Sequence, residues 1–427
     1  MKPDYANKFE RLAANAGLDA LPAEEQHAVR QLSFEHYFTQ QELSQFINCN
    51  TDLKLWGEGS LISHWQQWRN DSELEGREFK KWAFGNLNTL VNRLRTTPTR
   101  YEGDLGKGRR YPQKKFKIQS RDQQGTPFGM CPVASRKTLC CNLRTIDAVK
   151  NCGFGCSYCS IQTMYTGKDI LFDQDFAAKL DAIELDPGRD YHIGTGQSSD
   201  ALMWGNKNGI LDDMLNFAKK WPNAIIEFKT KSRNTEYFLS REIPENVLCS
   251  WSLNPDAVIR NEEHLTATLE QRLKAARSVA DRGILVSFHL HPMVYFEGWE
   301  QQYRQMIERV LNEFESCEVG FISFGSLTFP KPIIKKIRET GFETRIHQID
   351  MVPNPEGKMT YPDEIKVQQF SLAYNAFSAW HKEVFFYLCM EEPKFWDQAF
   401  GWRFPENEDF EQALLKSVRD KLSLRPA

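Results

Sequence analysis

The chain has 427 residues, 41% of them apolar and 12% aromatic, with a net charge of −3. Such a chain can bury one large barrel plus a smaller domain, and its charge excludes a uniformly basic nucleic-acid coat. Ten cysteines over this length exclude a disulfide scaffold. The start, Met1 to Lys8, lacks the apolar stretch of a signal peptide, and no run of about eighteen apolar residues occurs anywhere. The expectation is a soluble, cytoplasmic protein with no membrane partner.

Residues 1–100 read as a helical domain. Phe79, Trp82, Ala83, Leu87, Leu90, Val91 and Leu94 recur at steps of three and four, one apolar stripe on a helix that Thr97-Pro98 closes. An earlier stripe, with Phe34, Tyr37, Phe38, Leu43, Phe46 and Ile47, predicts a second helix. Residues 101–130 form a basic linker. Within the stretch Lys107–Arg121, seven Lys and Arg side chains, Lys107, Arg109, Arg110, Lys114, Lys115, Lys117 and Arg121, stand without an acidic residue. Tyr111 and Phe116 are interleaved, a pattern equally suited to tracking DNA phosphates and to a solvated linker.

From residue 131 to 368 the rhythm changes to short β-rich runs alternating with helices. Candidate strands are 145–149, 191–194, 224–229, 247–253, 284–290 and 319–326, with helical stretches at 212–220, 265–281 and 300–314. Six strands alternating with helices predict a parallel α/β sheet or partial barrel, whose site lies at the C-terminal strand ends. The tail, residues 369–427, with Trp380, Trp396 and Trp402, is expected to close that barrel.

The chemistry is concentrated in Asn151-Cys-Gly-Phe-Gly-Cys-Ser-Tyr-Cys159. Spacings of three and two residues let one loop turn the thiolates of Cys152, Cys156 and Cys159 toward a single cluster, and Gly153 and Gly155 permit the tight wrap. Zinc would want a fourth Cys or His at matching spacing, and no compact second pair follows Cys159. Three ligands on a [4Fe-4S] cube leave one iron open, which suits binding of a cofactor better than simple electron transfer.

The CxxxCxxC pattern with Tyr158 before its last cysteine resembles the signature of radical S-adenosylmethionine enzymes. More narrowly, Cys156-Ser-Tyr-Cys-Ser-Ile-Gln-Thr163 looks like the spore photoproduct lyase family. The resemblance continues through Gly194–Asp200, Glu227–Ser232, Trp251–Asn254, Phe288–Pro292, Ile322–Gly325 and Tyr387–Glu391, covering roughly residues 140 to 400. It implies an α/β fold, a partial (β/α)6 radical-SAM barrel behind the N-terminal helical domain. It also implies two cofactors, a [4Fe-4S] cluster on Cys152, Cys156 and Cys159 and S-adenosyl-L-methionine on Tyr158, Ser199, Lys231 and Ser252. Lys231 suits the cofactor's carboxylate or sugar and the serines its polar edges. Asp200 is read either as a cofactor contact or as a cap of the next segment.

Two positions depart from the lyase pattern. Where the family has a hydrogen-donating cysteine this chain has Gln197, and where it has a relaying tyrosine this chain has Ser160. Neither side chain gives up a hydrogen atom as a thiol or phenol does, which argues against strict photoproduct reversal. Cys389 and the pair Cys140-Cys141 remain as alternative donors, whereas strand alternation turns Cys249 away from Ser252. Cys131, Cys140 and Cys141 are alternatively ligands of a second metal, with buried structural cysteines the default. For His289 and His291 ordinary barrel packing is the expectation and pocket lining the alternative.

The leading reading is a radical enzyme taking hydrogen from a nucleobase, a thymine or modified thymine in DNA, for repair, rearrangement or modification. DNA would be met through Lys107–Arg121, and a flavodoxin or ferredoxin would supply electrons. The competing readings are a radical enzyme for a small metabolite or peptide, and a non-catalytic iron-sulfur protein that binds nucleic acid.

Overall fold

A computed structural model describes residues 3–101, 116–131, 135, 137–164, 167, 169–330 and 332–424. Residues 107–115 of the basic stretch lie outside them, leaving Phe116, Lys117 and Arg121 in view. The chain divides into two units, Met1–Arg100 with Lys331–Met351, and Tyr101–Pro330 with Val352–Ala427. Residues 331–351, inside the span read from sequence as barrel, thus belong to the helical unit.

That unit contains α1 (Pro3–Ala16), α2 (Ala23–His36), α3 (Gln40–Leu55), α4 (Leu61–Asn70) and α5 (Gly76–Thr96). The stripe at Phe79, Ala83, Leu87 and Val91 is buried on α5, but Trp82 is exposed and Leu90 and Leu94 are half-buried. The stripe expected as one helix from Phe34 to Ile47 is divided between α2 and α3. Tyr37 takes a left-handed φ of 51°, and Thr39 starts α3 with a capping box, its hydroxyl accepting from Glu42 N while Glu42 accepts from Thr39 N. Phe38, Phe46, Trp65, Phe79 and Phe84 form an aromatic core with centroid distances of 5.4–5.7 Å, edge-on in every pair but the tilted Phe38–Phe46. Residues 331–351 are tied in by Asp52, which accepts two 2.7 Å bonds from Arg338 and one of 3.2 Å from His347. Burial alone would raise the Asp52 carboxyl, but these partners hold it well below the carboxylate range.

The second unit is built on one curled eight-stranded sheet. Its strands are β1 (Phe128–Met130), β2 (Arg144–Ile146), β3 (Tyr191–Thr195), β4 (Ala224–Thr230), β5 (Val247–Ser252), β6 (Leu285–Met293), β7 (Val319–Ser326) and β8 (Phe385–Leu388). They lie side by side in chain order, β1 antiparallel to β2 and all later pairs parallel. Short crossovers between neighbours account for that order, since parallel strands need a connecting helix. The six expected strands are β2 to β7. The first is shorter than read: it stops at Ile146, and Val149–Lys150 pairs instead with Ile170–Asp173 in a small separate sheet. β4, β5 and β7 are buried along almost their whole length, as central parallel strands covered on both faces must be.

The tail adds β8 to the edge of β7, then returns as the helix Asn407–Leu422 across the gap between the sheet's edges. Asn407 accepts from Cys140 N (2.9 Å), Glu411 from Asn142 (3.0 Å) and Arg189 (3.2 Å), and Arg419 meets Asp190 at 2.6 Å. At the helix's other end, Lys421 donates to the carbonyls of Ser316 and Val319, at the start of β7. Among the described residues an isolated bridge, Leu139 N to Glu391 O at 3.1 Å, joins the segment before β2 to the segment after β8. We call this junction the seam. Among the described residues no helix is long and apolar enough to cross a membrane.

Candidate active site

Inside the curl lies a cavity of about 620 Å³, within the range of small-molecule and cofactor sites. Cys152, Cys156 and Cys159 all line it, on the loop that leaves Lys150. Asn151 starts the loop in a left-handed φ of 69° and donates to Asp169 O, while Ser198 anchors the strand before it by bonding Val149 O at 2.5 Å. Gly155 takes a left-handed φ of 66°, which favours glycine, while Gly153 packs against side-chain tips, with Met203 Cε 2.9 Å from where a Cβ would stand. Burial pushes the Cys152 thiol up to about 12 and raises Cys156 well above the usual thiol value.

The loop rests on a buried polar pedestal centred on Glu263. This carboxylate accepts from the Tyr158 hydroxyl, from Arg272 and from Asn254 (3.0 Å), and Lys231 Nζ stands 3.7 Å away. Arg272, wholly buried, also donates to the carbonyls of Ser252 and Ala267 at 2.9 Å. Tyr303 completes the set by donating to Asn254 at 2.8 Å. Burial would raise Glu263, but Arg272 and then Lys231 outweigh it and set the carboxyl at about 2. Two backbone bonds stitch loop to pedestal, Ser157 N to Glu262 O at 2.8 Å and Leu265 N to Phe154 O at 3.2 Å.

All four residues assigned to S-adenosylmethionine line the cavity. Their availability differs. Ser252 has no side-chain hydrogen bond among the described residues, and Ser199 accepts from Trp204 at 3.1 Å. Lys231 Nζ lies 5.6 Å above the Tyr158 ring and shares Glu263 with it, so the Tyr158 hydroxyl is already committed. Asp200 is a staple, accepting from Leu202 N, Met203 N, Thr230 Oγ1 and Lys231 N at 2.6–3.0 Å.

A second polar layer crosses the barrel beneath. Glu227 on β4 accepts from His192 (2.9 Å), His289 (2.6 Å) and Ser250, and His289 Nδ1 lies 2.5 Å from Ser323 Oγ. The strand register puts Ser252, His289, Ser323 and Tyr387 in one row. Desolvation takes His289 down to about 4, so a neutral ring donates its Nε2–H to Glu227. The two histidines expected to be packing residues both line the cavity. The His291 ring lies over Gly325, where a Cβ would fall 1.9 Å from its Nε2.

The two positions that depart from the lyase pattern, Ser160 and Gln197, face this same cavity, and so do Cys131, Cys140, Cys141 and Cys389. The last four come from the seam. Asn142 and Met390, each following a cysteine segment, adopt left-handed φ values of 51° and 61°. Among the described residues no three His, Cys, Asp or Glu side chains converge on a single metal ion. Cys131, Cys140 and Cys141 are therefore cavity-wall thiols and not a gathered second-metal ligand set. The four-iron cube makes no such demand, because its ligand sulfurs occupy separate corners; a three-cysteine loop bordering a large cavity fits it. Cys249 is buried outside the cavity lining.

Glu263, Arg272 and Lys229 went unread in the sequence. Glu263 and Arg272 lie outside the recognised motifs, and their one signal is an arginine at position four of an otherwise apolar helix face. Lys229 sits inside Glu227–Ser232 beside the lysine that drew attention.

The family model for spore photoproduct lyase matches residues 145–348. Spore photoproduct lyase of Clostridium acetobutylicum is 24% identical over 200 residues, 45% of this chain and 59% of that protein. The Geobacillus sp. protein of the same name is 23% identical over 208 residues, 47% and 61% respectively. The chain thus spans about 60% of the length of these curated relatives. Among solved structures, a spore photoproduct lyase mutant with bound AdoMet and dinucleoside spore photoproduct superposes with a TM-score of 0.54 at 20% identity, over 64% of this chain and 82% of that one. That likeness is one of fold. The curled sheet is the fold that this structure shares with the chain, and here it carries the three-cysteine loop along its cavity. Within that fold, residues 145–348 are similar to the spore photoproduct lyase family.

Proposed function

We propose that the protein is a radical S-adenosylmethionine enzyme that takes hydrogen from a thymine or modified thymine in DNA and ends the reaction differently from simple photoproduct reversal. One observation carries this reading: the three motif cysteines, the four cofactor candidates, the two departures from the family pattern and four further thiols share one cavity. Cys152, Cys156 and Cys159 would hold the [4Fe-4S] cluster, with Ser199, Lys231, Ser252 and Tyr158 around S-adenosylmethionine. When bound, this pair supplies a primary carbon radical able to take hydrogen from a C–H bond.

The chain's own residues do the rest. The Glu263 pedestal fixes the loop, and the apolar walls of Phe116, Leu139, Leu143 and Phe410 exclude water and position the target carbon. A base in duplex DNA must be extruded to reach such a cavity, and Phe116 at its edge is a stacking surface for it. With glutamine at position 197, the S–H bond that quenches the product radical comes from the seam. The hydrogen atom passes from sulfur to carbon, and an electron from a flavodoxin- or ferredoxin-type donor with one proton restores the thiol. The thiols need a reducing compartment, which keeps the cytoplasmic reading in the proposal. DNA contact along Lys107–Arg121 belongs to the same proposal.

The test is anaerobic reconstitution with S-adenosylmethionine and DNA trideuterated in its thymine methyl groups. Deuterium in 5′-deoxyadenosine is the expected result. Cofactor cleavage with no label transferred from any nucleic acid would contradict it.

A further inference from the structure

Glu227 and Lys229 on β4, and Lys231 just after it, all line the cavity. The two lysines are in different circumstances. Lys231 stands over Tyr158 and is neutralised by Glu263. The Lys229 ammonium has no hydrogen-bond or ion-pair partner among the described residues, although its side chain borders the cavity. The nearest acid along the strand face, Glu227, already receives His192, His289 and Ser250. Lys229 is half-buried, so its unpaired charge faces the cavity, where an anionic ligand would meet it.

The surroundings select the ligand. The Lys229 charge reaches His289, His291 and Cys389, so it lies between the polar layer and the seam thiols. Burial, and then Lys229, push His291 well below the usual imidazole range, so a neutral ring stands there and offers a hydrogen bond without a competing charge. Gly325 leaves the room that this ring occupies.

Building on the reading above, we propose that Lys229, with His291 beside it, is an oxyanion subsite that docks the phosphodiester of the substrate next to the seam thiols. Charge-assisted bonds to phosphate are strong enough to set the register of a flexible dinucleotide. The subsite would thus hold the sugar-phosphate while the base faces the cofactor.

The experiment measures binding of thymidylyl-thymidine, of its neutral methylphosphonate analogue, of S-adenosylmethionine and of inorganic phosphate to the full-length reconstituted protein. Lys229→Met is expected to weaken the dinucleotide by about 10- to 100-fold, with little change for the methylphosphonate or for S-adenosylmethionine. Lys229→Arg should restore most of the loss, which separates charge from folding damage. In parallel, lysine acylation read by mass spectrometry should show Lys229 protected by millimolar phosphate and Lys231 unaffected. If the wild type ignores the dinucleotide yet phosphate protects Lys229, the oxyanion subsite stands and the nucleic-acid reading falls. A loss confined to S-adenosylmethionine would assign Lys229 to the cofactor's carboxylate and overturn the proposal, as would equal losses for the charged and neutral dinucleotides.

Discussion

The pedestal under the cysteine loop and the seam where the sheet's edges meet border the same cavity, yet they are built in opposite ways. On the pedestal every charge is answered: Glu263 by Arg272, Lys231, Tyr158 and Asn254, and Arg272 further by two carbonyls. At the seam the cavity lining is thiol-rich, held by two left-handed turns and by bonds from the closing helix. A fully paired polar network fixes one geometry, which a cluster and its cofactor require. The seam holds side chains able to react. Under the proposed function, the difference teaches that initiation and termination of a radical reaction place unlike demands on one barrel, rigidity at one wall and available S–H bonds at the other.

The largest effect expected comes from breaking the pedestal. Arg272→Ala leaves the Glu263 carboxylate buried and short of its main partner, and should cost about 3–5 kcal/mol of unfolding free energy in chemical denaturation. A loss under about 1 kcal/mol would mean that the pedestal is not a rigid element.

Acid should act next. His264 and His289 are depressed to about 4 by burial, and His291 lies well below its usual value. The unfolded chain binds protons at these groups below about pH 6.5 while the folded chain does not, so stability falls as pH drops from about 6.5 toward 4. The slope contributed is about 1.4 kcal/mol per pH unit for each histidine. Glu227 and Glu263, held below their usual values by His289, His192 and Arg272, add their loss only below about pH 4.5. Thermal melts from pH 8 to 4 check this; a flat profile between 6.5 and 5 contradicts it.

The two walls should also separate in iron content. Alanine at Cys152, Cys156 or Cys159 should abolish the reconstituted cluster's absorbance and iron, whereas alanine at Cys140, Cys141 or Cys389 should leave both intact. Equal losses from both sets would erase the distinction. Cys140 is lowered to about 7 by its bond with Cys141, which is itself raised. Alkylation at neutral pH, mapped by mass spectrometry, should therefore find Cys140 ahead of Cys141 and of Cys389, which burial pushes far up. The smallest effect lies away from both walls: Thr39→Ala removes the α3 capping box and should cost about 1 kcal/mol with no change in iron.

Much of this arrangement was legible in the residues. The alternation of Ser250 and Ser252 against Cys249 and Trp251 assigned the faces of β5, and the Cys152–Cys159 spacing marked the loop, because both are short-range patterns. The parallel sheet was legible too, from strands alternating with helices, whereas the order of its strands was not read from the sequence. The pedestal was not legible, since Glu263 and Arg272 meet the loop only through contacts about a hundred residues apart in sequence, Tyr158 to Glu263 among them. The seam was equally hidden: Cys140 and Cys389 share a wall because the tail strand and closing helix bring distant segments together. Tyr37 divided a helix that periodicity had run together, because a hydrophobic stripe does not register one left-handed residue.

The central claim, that one cavity starts the radical at the cysteine loop and ends it at the seam, is tested most directly by following hydrogen in both directions. The reaction is run in D2O with methyl-protiated DNA, and the nucleobase product of the wild type is compared with that of a Cys140→Ala, Cys141→Ala, Cys389→Ala variant by mass spectrometry. The account predicts one solvent-derived deuterium in the wild-type product and its loss in the variant, with cofactor cleavage retained. The same deuterium content in both products would contradict it.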